Sequence, residues 1–344
     1  MSRAAWRYWG VGTASACLVL LLAAWFWARA ELSRPYAAWE GESVVVNLEP
    51  GLAAGTMLLR LQQAGVLRQP LLLRARLALL GGAERLHAGE YRFDKAIRPL
   101  DLLQRLMRGE VWLHPVTLPE GLTLVEVAAR LEQAGFGASE GFLAVFAQAE
   151  LVRDLDDQAQ DLEGYLFPDT YHFPQGETAR NVALAMVQRF REVIGESYAA
   201  QAKQAGLDLR GAVVLASLIE RETSLAEERA RVSRVFHNRL AKRMRLECDP
   251  TVIYALARAG RTVERLSRKD LGFDSPWNTY VVRGLPQGPI ANPGQASLMA
   301  AVHPAEGEEI YFVAAPDGGH SFSTTLEQHL NAVREWRRYE RSSR

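Results

Sequence analysis

The chain has 344 residues, enough for two domains that each bury a core. Forty Lys and Arg balance forty Asp and Glu, so no bulk charge draws it to a polyanion, and nucleic acid is not expected as a partner. Of its two cysteines, Cys17 sits in an apolar run; Cys248 alone is left for the folded part, which excludes an internal disulfide framework or a cysteine-rich zinc site.

Gly10 to Ala28 carries no charge and is bounded by Arg3, Arg7 and Arg29. About 18 to 20 apolar residues suffice to cross the hydrocarbon core as a helix, whereas a signal-peptide core is shorter, roughly 7 to 15. Trp25-Phe26-Trp27 suits an interfacial belt. Ala28-Arg29-Ala30 matches a cleavage site, which is the competing reading. The span predicts a cytoplasmic tail over 1–9, a single-pass transmembrane anchor over 10–28 and a linker over 29–41. Arg3 and Arg7 put the N-terminus in the cytoplasm, and under either reading the rest of the chain leaves it.

An internal repeat follows at a spacing of seventy residues. Val46 to Val66 aligns without gaps to Val116 to Phe136, and nine of the twenty-one positions are identical. Each copy reads as strand, Gly-containing turn and amphipathic helix, with Gly65 or Gly135 as the stop. Packing and ligand binding explain such a duplication equally well. Between the copies, His87 to Phe93 alternates like a strand, and Pro99 to Gly109 reads as a helix with Pro at its start and Gly at its end.

Beyond Leu122 the pattern is mainly helical: Ser139 to Ala149, Thr178 to Ile194, Gly211 to Thr223 and Leu225 to Met244. Short strands come late, at Ile310 to Ala315 and His320 to Thr324, before a last helix over Leu326 to Tyr339. The fold class is α+β, with a small α/β module ahead of a helix-rich domain. Four segments are predicted as loops furnished with proline, aromatics and amides: Leu162 to Tyr171, Cys248 to Thr251, Ser275 to Tyr280 and Gly284 to Gly294. Such loops suit a carbohydrate groove, although each alone also reads as a turn packed on a core.

The seven histidines show no metal-ligand spacing, so no metal is expected. Nucleophile-elbow, Walker and dinucleotide motifs are also missing, and no cofactor is expected. The feature that stands out is Val213 to Ser224, VVLASLIERETS, where an apolar helix ends by carrying Glu220 to the edge of a core. Residues 213, 216, 217 and 220 share a face, so small Ala216 and Ser217 would let a ligand approach the backbone next to Glu220. Apolar walls disfavour a carboxylate anion and so favour the proton-donating form. Glu222 points to roughly the opposite side, which excludes a dyad from this helix alone. By itself Glu220 also reads as the first solvated residue after a buried helix, and ERETSLAEER as an exposed charged run.

LASLIERET, ERARVSRVFHNRL, MRLECDPTVIYAL, SPWNTY, GLPQGPIANPG and GGHSFSTT, with LEGYLFPDTY and AGEYRF upstream, resemble the endolytic murein transglycosylase family (MltG/YceG-like). The resemblance runs from about Val44 to about Trp336. It implies a LysM-like module, placed here at 42–113, a catalytic domain at 114–340 and one anchor in the cytoplasmic (inner) membrane. It also implies cleavage between N-acetylmuramic acid and N-acetylglucosamine within nascent peptidoglycan strands, giving 1,6-anhydro ends and ending strand elongation. The catalytic residue is then the first Glu of E-[KR]-E-T, here Glu220, protonating the glycosidic oxygen and taking the proton of the muramic C6 hydroxyl. Glu163, Asp249, Asn278 and Tyr280 are candidates for binding the glycan or orienting Glu220, and peptidoglycan synthases are candidate protein partners. Cys248 departs from the family, which more often has a small polar residue before the Asp, and an exported thiol there would be open to oxidation. Two rival readings stand: a non-catalytic glycan-binding protein, and a lysozyme-type hydrolase needing a second carboxylate, for which Glu163 is the applicant.

Overall fold

A computed structural model describes residues 3–82 and 86–342, with side chains from residue 15 onward. Met1 and Ser2 of the expected tail, and the side chains of Arg3 and Arg7, lie outside the described set. The uncharged N-terminal run folds as one helix, α1 (Arg3–Ser33). Its stretch Ser15–Ser33 is long and apolar enough to cross a membrane. Leu20, Leu21 and Phe26 are each more than half exposed, which suits side chains that meet lipid.

The chain divides into two compact units, residues 1–114 and 115–344. After α1 the first unit runs β1 (Val44–Leu48), α2 (Ala54–Gln63), α3 (Pro70–Leu79), β2 (Gly89–Phe93) and α4 (Pro99–Arg108). β1 and β2 pair antiparallel, with Val46 opposite Tyr91 and Leu48 opposite Gly89. Strand alternation sends Val46, Leu48, Tyr91 and Phe93 inward, onto Leu58 and Leu61 of α2 and Leu102 and Leu106 of α4. Gly65 ends the first repeat at φ +76°, and a Cβ there would come within 2.7 Å of the Ala38 backbone. Only glycine fits both demands. Helix α3 was not anticipated: its run of leucines has no clean period, and Pro70 at its start is its clearest signal.

β3 (Leu113–Thr117) straddles the boundary and pairs with β4 (Thr170–Pro174). The second unit continues with α5 (Leu124–Gln133), α6 (Ser139–Phe146), α7 (Ala179–Ile194), α8 (Tyr198–Gln204), α9 (Leu209–Glu222), α10 (Arg229–Ala241), α11 (Asp249–Arg258) and α12 (Gln295–Val302). It closes with the antiparallel hairpin β5 (Tyr311–Ala314) and β6 (His320–Ser323) and with α13 (Leu326–Ser342). Both repeat copies thus fold as strand, turn and helix, and each copy's strand pairs with a later strand, β1 with β2 and β3 with β4. The expected helix over 225–244 splits into a 3₁₀ turn at Ala226–Glu228 and α10. Asp249 and Thr251, expected in a loop, form the first turn of α11, where Pro250 supplies the fixed φ of a helix start.

At the centre of the second unit is α9. Asp208 caps it by accepting the Gly211 N–H at 2.6 Å, and all nine residues from Gly211 to Ile219 are buried. A helix buried on every side is a rigid post, because each turn is fixed by neighbours.

Candidate active site

Three pieces of chain converge on the C-terminal end of α9. The first is the turn Pro119-Glu120-Gly121 between β3 and α5, held by the Gly121 N–H donating to the Asn292 carbonyl at 2.9 Å. Next comes the loop ending at Gly294. Arg229, from the first turn of α10, is the third. Glu220 stands among them with a side chain only 7 % exposed. Its Oε2 accepts the Gly294 N–H at 3.0 Å, and its Oε1 lies 3.9 Å from Arg229 Nη2. Gly121 sits at φ +79°, and a Cβ on it would lie 3.6 Å from Glu220 Cγ.

Two expectations about this helix are corrected. Ala216 and Ser217 admit no ligand: both are fully buried, and Ser217 Oγ accepts the Ile290 N–H at 3.1 Å while donating to Val214 O at 2.7 Å. The approach they permit is that of the protein's own loop 284–294. Nor is Glu220 walled by apolar groups, since an amide N–H and a guanidinium face it.

Glu222 does point away from Glu220, but it is not a solvated charge. It accepts from the Cys248 thiol, and burial, reinforced by Asp249, pushes its carboxyl up to about 7. Glu228 is buried as well and accepts from the His320 backbone N–H at 2.7 Å, with its other oxygen 2.6 Å from His320 Nδ1. Burial opposes its ionisation, yet the hydrogen bonds to His320 hold it below the usual range. The charged run after Ile219 is therefore largely a folded-in network. Cys248 is 1 % exposed, and burial together with Glu222 pushes its thiol up, so the thiol expected to be open to oxidation is a shielded one.

Glu163 is buried at 3 % exposure. It accepts from Leu124 N–H at 3.2 Å, Tyr254 O–H at 3.0 Å and Asn292 Nδ2 at 3.2 Å. Those donors favour the anion, but burial outweighs them and pushes the carboxyl up to about 8. Asn278 is fully buried, its amide donating to Leu271 O and Phe273 O and its oxygen accepting from Tyr280 N–H. Both side chains spend their polar atoms on the protein itself, and Glu163 also lines the groove that runs beside the site. Asp249 and Tyr280 do come together, with the Tyr280 O–H donating to Asp249 Oδ1 at 2.6 Å on the accessible side. The furnished loops mostly spend their polar groups inward: Tyr171 donates to Phe167 O, Asn292 to Leu122 O, and Trp277 lies under Arg258 at 4.4 Å.

A groove of about 610 Å³ beside the site is walled by Leu124, Leu143, Ile253 and Tyr254, with Arg221 and Arg258 on its rim. Arg221 links the groove lining to the turn beside Glu220, its Nη1 donating to the Gly121 carbonyl at 3.0 Å. The residue that sequence reasoning missed is Glu120. It occupies the turn of the second repeat copy, where the first copy has Pro50, and its Oε2 also lies 3.9 Å from Arg229 Nη2. That exchange between aligned turns was the available signal.

Comparison with known proteins adds context to this geometry. The YceG-like family model matches residues 46–335. The endolytic murein transglycosylase of Bacillus subtilis (strain 168) is 33 % identical over 271 residues, covering 74 % of each chain. The enzyme of that name from Streptococcus pneumoniae serotype 2 is 29 % identical over 279 residues, 73 % of this chain but 50 % of its own. A crystal structure of a YceG-like protein from Listeria monocytogenes superposes with a TM-score of 0.58 at 29 % identity, covering 84 % of this chain and 98 % of that one.

Proposed function

The chain belongs to the YceG-like family, and we propose that it is an endolytic peptidoglycan lytic transglycosylase with Glu220 as its single acid and base. The observation that carries the assignment is the placement of Glu220: a carboxyl at the end of a helix buried from Gly211 to Ile219, mostly withdrawn from water, beside a groove of about 610 Å³ whose lining includes its neighbour Arg221. Glu220 protonates the oxygen linking N-acetylmuramic acid to N-acetylglucosamine as the C1–O bond breaks. The muramic C6 hydroxyl then closes on C1 and returns its proton to Glu220, leaving a 1,6-anhydro end. An attacking group already on the same sugar needs no second carboxylate to position water. Glu163 and Asn278 act from within, fixing the loops around Glu220, while Asp249 and Tyr280 offer a contact surface to the glycan.

Residues 42–113 supply glycan affinity as a LysM-like module. The strand–helix–helix–strand order of β1, α2, α3 and β2 supports that reading. The apolar helix α1 anchors the protein in the cytoplasmic membrane, with the chain that follows it outside. The reaction is tested by digesting glycan strands in heavy-oxygen water. Anhydromuramic ends free of solvent label are expected. Labelled reducing ends would establish a hydrolase instead, a second reading that Glu120 beside Glu220 favours more than Glu163 does.

A further inference from the structure

An acid catalyst working near neutrality must hold a proton that an ordinary glutamate has lost. Glu220 faces the Gly294 N–H and the Arg229 guanidinium. Glu120 alters the balance. The same Arg229 nitrogen that lies 3.9 Å from Glu220 Oε1 lies 3.9 Å from Glu120 Oε2. The Arg229 side chain is 12 % exposed, and its Nε is buried without a hydrogen-bond partner. One shielded cation therefore faces two carboxylates. Gly294 brings them together from the other side: its N–H donates to Glu220, and a Cβ on it would collide with the Glu120 carboxyl. Of the other ionisable groups at the end of α9, Arg221 is exposed and donates to the neutral Gly121 carbonyl, so solvent screens its charge, and Glu222 is turned toward Cys248, with burial raising its carboxyl. With both carboxyls ionised the cluster carries one uncompensated negative charge, and with one proton retained it is neutral.

We propose that Glu120 and Glu220 form one acid unit around Arg229 and hold a single proton between them. Glu220 delivers that proton to the glycosidic oxygen, and Glu120, 47 % exposed, is the solvent-side partner that keeps it in the site. This rests on the transglycosylase reading above. Burial, and then the charge of Glu220, push the Glu120 carboxyl above its ordinary range against the pull of Arg229, as the pairing requires. The proton count closes: Glu220 gives one proton to the leaving sugar's O4 and regains one from the C6 hydroxyl, while Glu120 ends each cycle as it began. Glu120 is thus a positioning residue acting through Glu220.

The test is the pH–rate profile of full-length Glu120→Gln on glycan strands, with carboxyl-carbon NMR titration of the same proteins. The amide keeps the shape and removes the charge. Loss of kcat should grow with pH, by roughly tenfold for each unit the alkaline limb moves down, with KM held. The pair's two coupled titration steps should become one. Glu120→Asp should restore alkaline activity, and Arg229→Gln, which removes the shared cation, should move the limb the other way. A loss equal at every pH, a rise in KM alone, or an unmoved profile would each overturn the proposal. If Glu120→Gln does not fold, the direction of the Arg229→Gln shift decides. Solvent label in wild-type products would remove the transglycosylase reading while leaving the two coupled titration steps to be seen or not.

Discussion

The Asn292 amide donates to Glu163 Oε1 at 3.2 Å, joining two loops 129 residues apart inside the second unit. Asn292 is 1 % exposed and every polar atom of it is used. Its Nδ2 also donates to Leu122 O, its Oδ1 accepts from Gly164 and Leu166 N–H, and its backbone carbonyl accepts from Gly121 N–H. The turn bearing Glu120 and the loop ending at Gly294 are thereby tied to one buried side chain. Position at the site is set from behind it.

Asn292→Ala should therefore cost stability and activity together. It strands the Gly164 and Leu166 N–H groups and removes one donor from Glu163, a loss of about 2 to 6 kcal/mol for the two N–H groups at roughly 1 to 3 each. Denaturant unfolding measures the first effect. Single-turnover cleavage should show kcat falling more than KM rises, because the groups around Glu220 loosen while the groove walls remain.

The buried acids set a pH dependence of stability. Glu163 and Glu222 are pushed up to about 8 and about 7 in the folded protein, from about 4.5 when unfolded. Between those values the folded chain binds more protons than the unfolded one, so stability falls as pH rises from roughly 4.5 toward 8. Glu163→Gln should flatten that slope and be relatively more stable at pH 8 than at pH 5. Of its three partners only the Tyr254 hydroxyl can reverse its bond to a protonated acid, since the others are N–H donors. Melting temperatures of both proteins across this range check the sign, and parallel slopes would count against it.

Glu220→Gln should abolish cleavage with folding and glycan binding nearly intact. Losing a general acid or base commonly costs 10²–10⁴-fold, and here one group serves in both roles. Glu222→Gln is the control. Its carboxyl meets Cys248 on another side of the helix, so cleavage should persist while the stability slope with pH shallows. Full activity in Glu220→Gln would remove it from the mechanism.

Cys248 should be inert toward thiol reagents in the folded protein, because it is buried and held by Glu222. In a Cys17→Ser background, labelling should wait for denaturant. Rapid labelling of native protein would contradict that burial.

Reporter fusions after Arg34 and at the C-terminus should both report an external location, and a mature N-terminus at Glu31 would reveal cleavage rather than anchoring. Deleting residues 42–113 should weaken binding to sacculi while some cleavage of saturating soluble glycan remains. Undiminished binding would make that unit structural only.

The sequence by itself determined what depends on local pattern. Nineteen uncharged residues make an apolar helix in any context, the repeat makes strand–turn–helix twice, and VVLASLIERE makes a helix with Glu220 at its end. The tertiary structure decided what surrounds each group, because burial and partners come from chain far away. Asp249-Pro250-Thr251 turned from loop to helix start, the amides of Asn278 and Asn292 turned inward, and Ser217 took a backbone N–H in place of a ligand. Glu120 shows the limit most sharply. In its repeat copy it is one more turn residue, and only folding brings it to share Arg229 with a carboxyl a hundred residues away. Charge coupling acts over a few ångströms of space, and sequence distance says nothing about it.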